Sequence, residues 1–280
     1  MHRARSAKPL VVFAGICTAG IMGGCDVTIK DGDIKGVSLN ATATSEWTRH
    51  YPMASGGRVE IINNSGPIDA VVGPAGSVDI AAVIEARAMT ETRAKEILSG
   101  IKFEESAGAD HVRVATVRDS GRGLHVMFRL TLPPDAALEM TGSNGRLKAA
   151  GLRAHVKAMT VNGGIELSGM SGTIDAAAVN GTVSAKMAHI TGAMRLESTN
   201  GRILLEIPTS ARATLNARTV NGRITVTGLP AETGTERRVR SLESQLNGGG
   251  PEIDLRVTNG RISIAGVDPA APPPPPVPPR

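Results

Sequence analysis

Strand-like alternation of apolar and polar residues repeats along the second half of the chain. Each unit has an apolar, polar, apolar pattern before an Asn-Gly pair and the same pattern after it, which predicts two strands joined at Asn-Gly. "TVNGRITVTG" and "VTNGRISIAG" are two such units. Successive Asn residues are 18, 18, 20, 21 and 38 positions apart. The six pairs are Asn144-Gly145, Asn162-Gly163, Asn180-Gly181, Asn200-Gly201, Asn221-Gly222 and Asn259-Gly260.

This period predicts a repeat fold, because a unit of this size cannot bury its apolar face alone and must stack on its neighbours. We predict an all-β protein, a single-stranded right-handed β-solenoid with coils of roughly 18–21 residues. In such a stack each Asn can bond to the backbone or to the Asn above and below, while each Gly avoids a Cβ clash at the corner. A meander of hairpins stays open, because Asn-Gly also favours two-residue hairpin turns.

The pattern divides the chain into five segments. We predict a signal peptide at 1–24, a polar tether at 25–55, an N-terminal cap with the first strands at 56–135, regular coils at 136–266 and a proline-rich tail at 267–280. Within the cap, "TETRAKEILSG" predicts one short helix with Thr90 as N-cap and Gly100 as its stop. A polar stretch near 229–251 predicts an inserted loop that has room for one extra strand.

The N-terminal residues predict export and lipidation. A basic start precedes an apolar run from Pro9 to Met22, which is too short to span a bilayer as a mature helix. The run ends in "IMGGCD", which resembles the lipobox of bacterial lipoprotein signal peptides. That resemblance implies cleavage before Cys25 and a lipid on its thiol, whereas Cys17 is interpreted as an apolar signal residue. The choice between inner and outer membrane stays open.

Charge and aromatic content argue against nucleic acid as a partner. Removing Arg3, Arg5 and Lys8 with the signal leaves 28 basic against 26 acidic residues, a net charge of +2. No aromatic residue follows Phe128, so the repeats cannot stack bases or sugars on aromatic rings. The scarcity of rings also agrees with the thin core of a solenoid.

Candidate catalytic and metal-binding residues are scattered. The six His residues lack metal-ligand spacing, and no phosphate loop or calcium-binding repeat is present in the sequence, so we expect neither metal nor cofactor. Polysaccharide-cleaving β-helices use grouped charged residues on one face. The outward carboxylates Glu166, Asp175, Glu197 and Glu206 fall at different positions of the repeat. We therefore expect them not to converge.

One outward position of the repeat is rich in arginine. The residue two after Asn is Arg146, Arg202, Arg223 or Arg261 in four of the six units. Stacking in chain order would place Arg202 and Arg223 on adjacent coils, about 4.8 Å apart. These arginines form a candidate anion-binding column, and the competing interpretation is a solvated face whose charges prevent edge-to-edge pairing.

The features from Gly56 to Gly266 resemble the bacterial putative-adhesin family of β-solenoid domains. The resemblance is carried by "VEIINNSGPIDAVVG", "LTLPPDAALEMTGSNG", the "TVNG" and "STNG" corners, and "LNGGGPEIDLRVTNGRISI". These motifs are structural, so the resemblance implies a fold and a binding role without catalytic residues.

Together these features predict a lipid-anchored protein of the bacterial cell envelope that faces the periplasm or the cell surface. Its expected role is a non-enzymatic, adhesin-like binding or structural module. The expected partners are the membrane, through the lipid on Cys25, and envelope polysaccharide or another envelope protein. Two alternatives stay open: a polysaccharide-active β-helix enzyme, and an envelope-stress or regulatory partner of a membrane protein.

Overall fold

The computed structural model describes residues 29–30, 33–34, 41–117, 123–229, 236–237 and 240–268. Those residues form strands and one helix. The elements are β1 Ile29–Lys30, β2 Asp33–Ile34, β3 Ala41–Pro52, β4 Arg58–Ser65, β5 Ile68–Val72, β6 Ser77–Ala88, α1 Glu91–Ser99, β7 Lys102–Ala107, β8 His111–Val117, β9 Leu124–Leu132, β10 Ala137–Asn144, β11 Leu147–Ala150, β12 Val156–Asn162, β13 Ile165–Met170, β14 Ile174–Met187, β15 Met194–Pro208, β16 Ala213–Thr227, β17 Glu236–Arg237, β18 Ser241–Leu246 and β19 Glu252–Val267.

The repeats stack as the rungs of a β-solenoid. Each rung has a first arm before Asn-Gly and a second arm after it, and both arms pair in parallel with the same arm of the next rung. The register matches residue to residue, so that Asn180 of β14 lies opposite Asn200 of β15 and Gly181 lies opposite Gly201. The predicted solenoid is confirmed, and the alternative of Asn-Gly hairpins is wrong.

The core is a thin aliphatic layer between the two arms. In the β14 rung, Ile174 and Ala176 of the first arm and Val183 and Ala185 of the second arm are all buried. Fully burying a Val or Ile side chain contributes about 1.5–3 kcal/mol, and the same positions are filled by apolar residues in the rungs on either side. Phe128 is buried in β9, and no aromatic residue follows it in the sequence, so the later rungs have no aromatic ring in this layer.

At the N-terminal end, the chain does not build its rungs in sequence order. The rung of β4 and β5 lies between the rung of β8 and β9 on one side and the rung of β10 and β11 on the other. Strand β6 runs antiparallel to β9 and β3, and β7 runs antiparallel to β8. The function of this segment as a cap stays a prediction.

At the C-terminal end, β19 is inserted between β15 and β16. It pairs in parallel with both strands, and β18 pairs antiparallel with the first arm of β16. Arg202 and Arg223 are therefore not on adjacent rungs, and that expectation is wrong: Arg261 lies between them. The 38-residue gap allows the chain to leave β16, form β18, and return inside the stack.

Two further expectations have clear outcomes. The predicted tether is wrong over Ala41–Pro52, which form β3; Trp47 and Tyr51 project from this strand and pack against the core. The predicted helix is confirmed: α1 is capped by the Thr90 hydroxyl, which accepts a bond from the Arg93 amide at 3.3 Å, and it ends at Gly100.

Several predictions concern residues outside the described part of the chain. They are the signal peptide at 1–24, the lipid site Cys25, and the proline-rich tail from residue 269 onward. Among the residues that the structure does describe, no helix has the length and apolar character needed to cross a bilayer.

Candidate functional site

The corner of the solenoid carries a continuous line of hydrogen-bonded asparagines, here called the Asn ladder. Each side-chain amide donates to the Oδ1 of the Asn on the neighbouring rung, all in the same direction. The last amide, on Asn144, donates to the Asn64 carbonyl at 3.5 Å. The donor–acceptor pairs are Asn221–Asn259 at 2.8 Å, Asn259–Asn200 at 2.9 Å, Asn200–Asn180 at 3.0 Å, Asn180–Asn162 at 2.9 Å and Asn162–Asn144 at 3.0 Å.

The glycine after each Asn is required by the close approach of the neighbouring corner. A Cβ added to Gly181 would lie 2.7 Å from the Gly163 carbonyl carbon and closer still to its oxygen. The same contact recurs at all six corners, and for Gly260 the opposing carbonyl belongs to Gly201, in agreement with the inserted position of β19. The corner is therefore held both by the Asn ladder and by tight backbone packing.

Next to the ladder, Arg202, Arg261 and Arg223 follow one another on the β15, β19 and β16 rungs. We call these three residues the arginine column. Their Cα atoms are in register, so neighbouring strands hold them about 4.8 Å apart. All three side chains are exposed, and none makes an ion pair or side-chain hydrogen bond with another described residue. Arg146 is separate from the column, because Gly164 and Thr182 occupy the two rungs between it and Arg202.

Some other outward positions of the solenoid carry opposite charges that form ion pairs. On the second arms, Lys148 pairs with Glu166 at 3.7 Å, and Lys186 pairs with Glu206 at 3.1 Å. On the first arms, the Arg195 guanidinium bonds to Glu197 at 2.7 Å. In two of these three pairs the partners lie on neighbouring rungs, so cross-strand pairing of opposite charge recurs on this surface.

A cluster of two cations on the first arms surrounds Glu139. Lys157 donates to Glu139 at 2.7 Å, and Arg58 contacts the same carboxylate from the opposite rung. The bond from Lys157 lowers the pKa of the Glu139 carboxyl, with a smaller contribution from Arg58, and partial burial opposes this shift. Glu139 also raises the pKa of Lys157 by the same bond. These groups are held charged and stabilise the stack.

A shallow cavity of about 480 Å³ brings carboxylates together at the start of the first arms. Asp175 and Asp254 line it on either side of Arg195, with the three residues on consecutive rungs. Asp254 already accepts a bond from Arg256 at 2.6 Å. Asp254 could not be placed beside Arg195 from the sequence, because the insertion of β19 beside β15 cannot be recognised from the repeat pattern.

The four carboxylates considered from sequence lie in four different columns, as expected. Glu166 and Glu206 occupy different positions of the second arms, and Asp175 and Glu197 occupy different positions of the first arms. A second shallow cavity, of about 440 Å³, lies on β3, β6 and β9 and contains a His50–Asp79 contact of 2.6 Å. Within the described ranges, no group of three or more His, Cys, Asp or Glu residues is arranged to hold a metal ion.

Comparison with protein families identifies the fold. The model of the family described as Toastrack DUF4097 matches residues 98–265, more than half of the chain. The protein belongs to this family. The match confirms the resemblance seen in the repeats, and its range contains all six Asn-Gly corners of the Toastrack solenoid. No curated protein matches the chain.

Solved structures similar to this Toastrack protein share little sequence with it. A putative cell adhesion protein from Clostridium sporogenes is 12% identical, with a TM-score of 0.43 over 80% of this chain and 100% of its own. A putative adhesin from Bacteroides fragilis is 13% identical, with a TM-score of 0.43 over 80% of this chain and 97% of its own.

Proposed function

We propose that this Toastrack protein is a non-enzymatic, adhesin-like binding module, anchored to the bacterial cell envelope by a lipid on Cys25. The observation that carries the binding role is the corner surface. There the Asn ladder and the glycine packing hold identical groups in a straight line from rung to rung. A surface that is already ordered loses little conformational freedom on binding, so it suits an extended partner.

The charged groups also favour binding over catalysis. A carboxyl group that acts as a general acid at neutral pH has a pKa raised toward neutrality. In the described part of the chain, the carboxyl groups with a shifted pKa are shifted downward instead, as at Glu139 beside Lys157 and at Asp135 beside the Ser55 hydroxyl. Such groups act as fixed anions in ion pairs and turns.

The lipid anchor is inferred from the "IMGGCD" motif and is compatible with the position of the first long strand. Because β3 begins at Ala41, the chain between Cys25 and the solenoid is shorter than the predicted tether. Sixteen steps of fully extended chain span at most about 55 Å. The anchor would therefore keep the solenoid close to the membrane.

Expression of the full chain in a Gram-negative host tests the anchor. The wild type and a Cys17→Ala control should show a lipid-sized increase in intact mass and fractionate with membranes, whereas Cys25→Ala should lose both properties. A wild type without lipid, recovered in the soluble fraction, would refute the anchor.

The non-enzymatic role is tested with the purified wild type. Its retention on envelope polysaccharide should leave the chain length of the polymer unchanged, as measured by size-exclusion chromatography. Progressive shortening of the polymer would show that the module is an enzyme.

A further inference from the structure

The arginine column is a run of three like charges that have no carboxylate partner among the described residues. Like charges directly opposite one another on adjacent strands are destabilising, whereas Lys148, Lys186 and Arg195 elsewhere on this solenoid are each paired with a carboxylate. At Arg202, Arg261 and Arg223, three like charges are stacked in register. The strand spacing of about 4.8 Å, which separates their Cα atoms, is shorter than the screening length of about 8 Å at physiological ionic strength, so salt weakens the repulsion between neighbouring side chains without removing it.

The positions beside the column provide no counter-charge. On the ladder side, the next outward residues are Thr199, Thr258 and Val220, and on the other side they are Leu204, Ser263 and Thr225. The nearest carboxylates on these arms, Glu197 and Glu206, are held by Arg195 and Lys186. Among the described residues, the column is thus a line of guanidinium groups without a carboxylate partner, bordered by small polar and aliphatic side chains.

We propose that the arginine column binds a linear anionic polysaccharide, with successive carboxylates of the polymer on successive guanidinium groups. This deepens the proposed binding function and rests on it. A guanidinium offers a planar pair of N–H donors that matches a carboxylate, and bound carboxylates would relieve the repulsion along the column. The site is a line of single charges rather than a broad basic patch, which fits a polymer chain better than a membrane surface.

Nucleic acid is a poorer fit to the same line. Sites for single-stranded nucleic acid combine cations with aromatic rings on which bases stack. No aromatic residue follows Phe128 in the sequence, whereas the column begins at Arg202. A polymer that needs only charge and hydrogen bonding therefore matches the column.

The test uses the full mature protein, purified from membranes in a neutral detergent, and polygalacturonate as the probe. Binding is measured by titration calorimetry for the wild type and for the triple variant Arg202→Gln, Arg261→Gln and Arg223→Gln. We expect the triple variant to bind about tenfold more weakly or worse, since it loses the charge-assisted bonds. Its fold should be intact, because none of the three arginines bonds to another described residue.

A matched control changes the net charge equally at cations that already have partners. Lys148→Gln, Lys186→Gln and Arg218→Gln remove three positive charges that pair with Glu166, Glu206 and Glu243. This control should bind within about twofold of the wild type, because those cations are already neutralised. A loss equal to that of the column variant would show that net charge alone attracts the polymer, and the proposal would be overturned.

A second variant set tests the geometry of recognition. Replacing the three arginines with lysines keeps the charge but removes the planar pair of donors, so its affinity should fall between those of the wild type and the glutamine variant. Fully methyl-esterified polygalacturonate, which lacks the charges, should not bind. Equal binding of the esterified and acidic polymers would contradict a site for carboxylates.

Two other probes separate the alternative ligands. If short-chain phosphatidylglycerol or an oligothymidylate binds in an arginine-dependent way while polygalacturonate does not, the column recognises phosphate and the polysaccharide proposal fails. If the glutamine triple variant still binds the polymer, the arginine column is not the binding site, and only the broader proposal of a binding module stands. Loss of membrane association by Cys25→Ala is independent of all these outcomes.

Discussion

The Asn ladder makes a quantitative prediction, because interior and terminal members have different numbers of bonds. Asn180 donates to Asn162 and accepts from Asn200, so Asn180→Ala removes two side-chain hydrogen bonds. Asn221 stands at the end of the ladder and has one such bond, donated to Asn259. Both side chains are exposed, so the comparison isolates the ladder bonds from changes in the buried core.

The magnitude follows from the bond count. A net hydrogen bond is worth about 0.5–1.5 kcal/mol, and an exposed amide pair belongs near the lower end. Asn180→Ala should therefore lower the free energy of unfolding by about 1–2 kcal/mol, and Asn221→Ala by about half as much. For a domain of this size, 1 kcal/mol corresponds to about 2–4 °C, so the interior variant should lose about 2–8 °C in Tm.

The assay is thermal and urea unfolding followed by far-ultraviolet circular dichroism at one protein concentration. The ratio of the two effects is the decisive quantity, because errors in the energy per bond cancel in it. Equal destabilisation by Asn180→Ala and Asn221→Ala would refute the ladder as a set of additive bonds. An unchanged Tm for Asn180→Ala would show that water replaces the amide bonds without loss.

Two other substitutions test the packing and the ion pairs. Gly181→Ala should lower the free energy of unfolding by about 3 kcal/mol or more, because the added Cβ would overlap the Gly163 carbonyl. Urea unfolding measures this change. Gly164→Ala is the control, since its added Cβ would have only one contact within 4 Å, at 3.3 Å. Glu139→Gln should cost about 1.5 kcal/mol at neutral pH through the lost bond from Lys157. Folding lowers the pKa of Glu139, so the stability that its charge contributes is present above the ordinary pKa of Glu. That stability is lost as the pH falls through the lowered pKa of the folded protein. The unfolding curves of the wild type and Glu139→Gln should therefore converge in acid. A difference that persists at low pH would contradict this assignment.

Much of the fold could be predicted from local pattern because each rung repeats the same residues at the same positions. The Asn-Gly spacing sets the register, and the alternation sets which side chains are buried. The order of the last rungs could not be predicted, because β15, β16 and β19 carry nearly the same corner sequence and any order satisfies the pattern. What decides it is the long segment containing β18, whose antiparallel pairing occupies the outer edge of the β16 first arm.

The candidate site was accessible from sequence only in part. The arginines share one repeat position, so their alignment on one face was predictable, but their contiguity depends on the insertion of Arg261 between Arg202 and Arg223. Strand β3 was missed because its inward positions include small residues such as Ala41 and Ala43. Its membership in the sheet depends on pairing with the distant β6.

The position of β19 has a consequence for how the molecule is assembled. A ribosome delivers β15 and β16 before β19, yet β15 and β16 end up separated by it. Because β15 and β16 have matching corner sequences, they could pair with each other before β19 is synthesised, and β19 would then have to displace that pairing. The native arrangement of these three rungs can form only after the ribosome has released residue 267. Strand β19 therefore joins the β15 and β16 rungs. A chain that stops at residue 250 would lack β19, and the arginine column would lose Arg261, its central member.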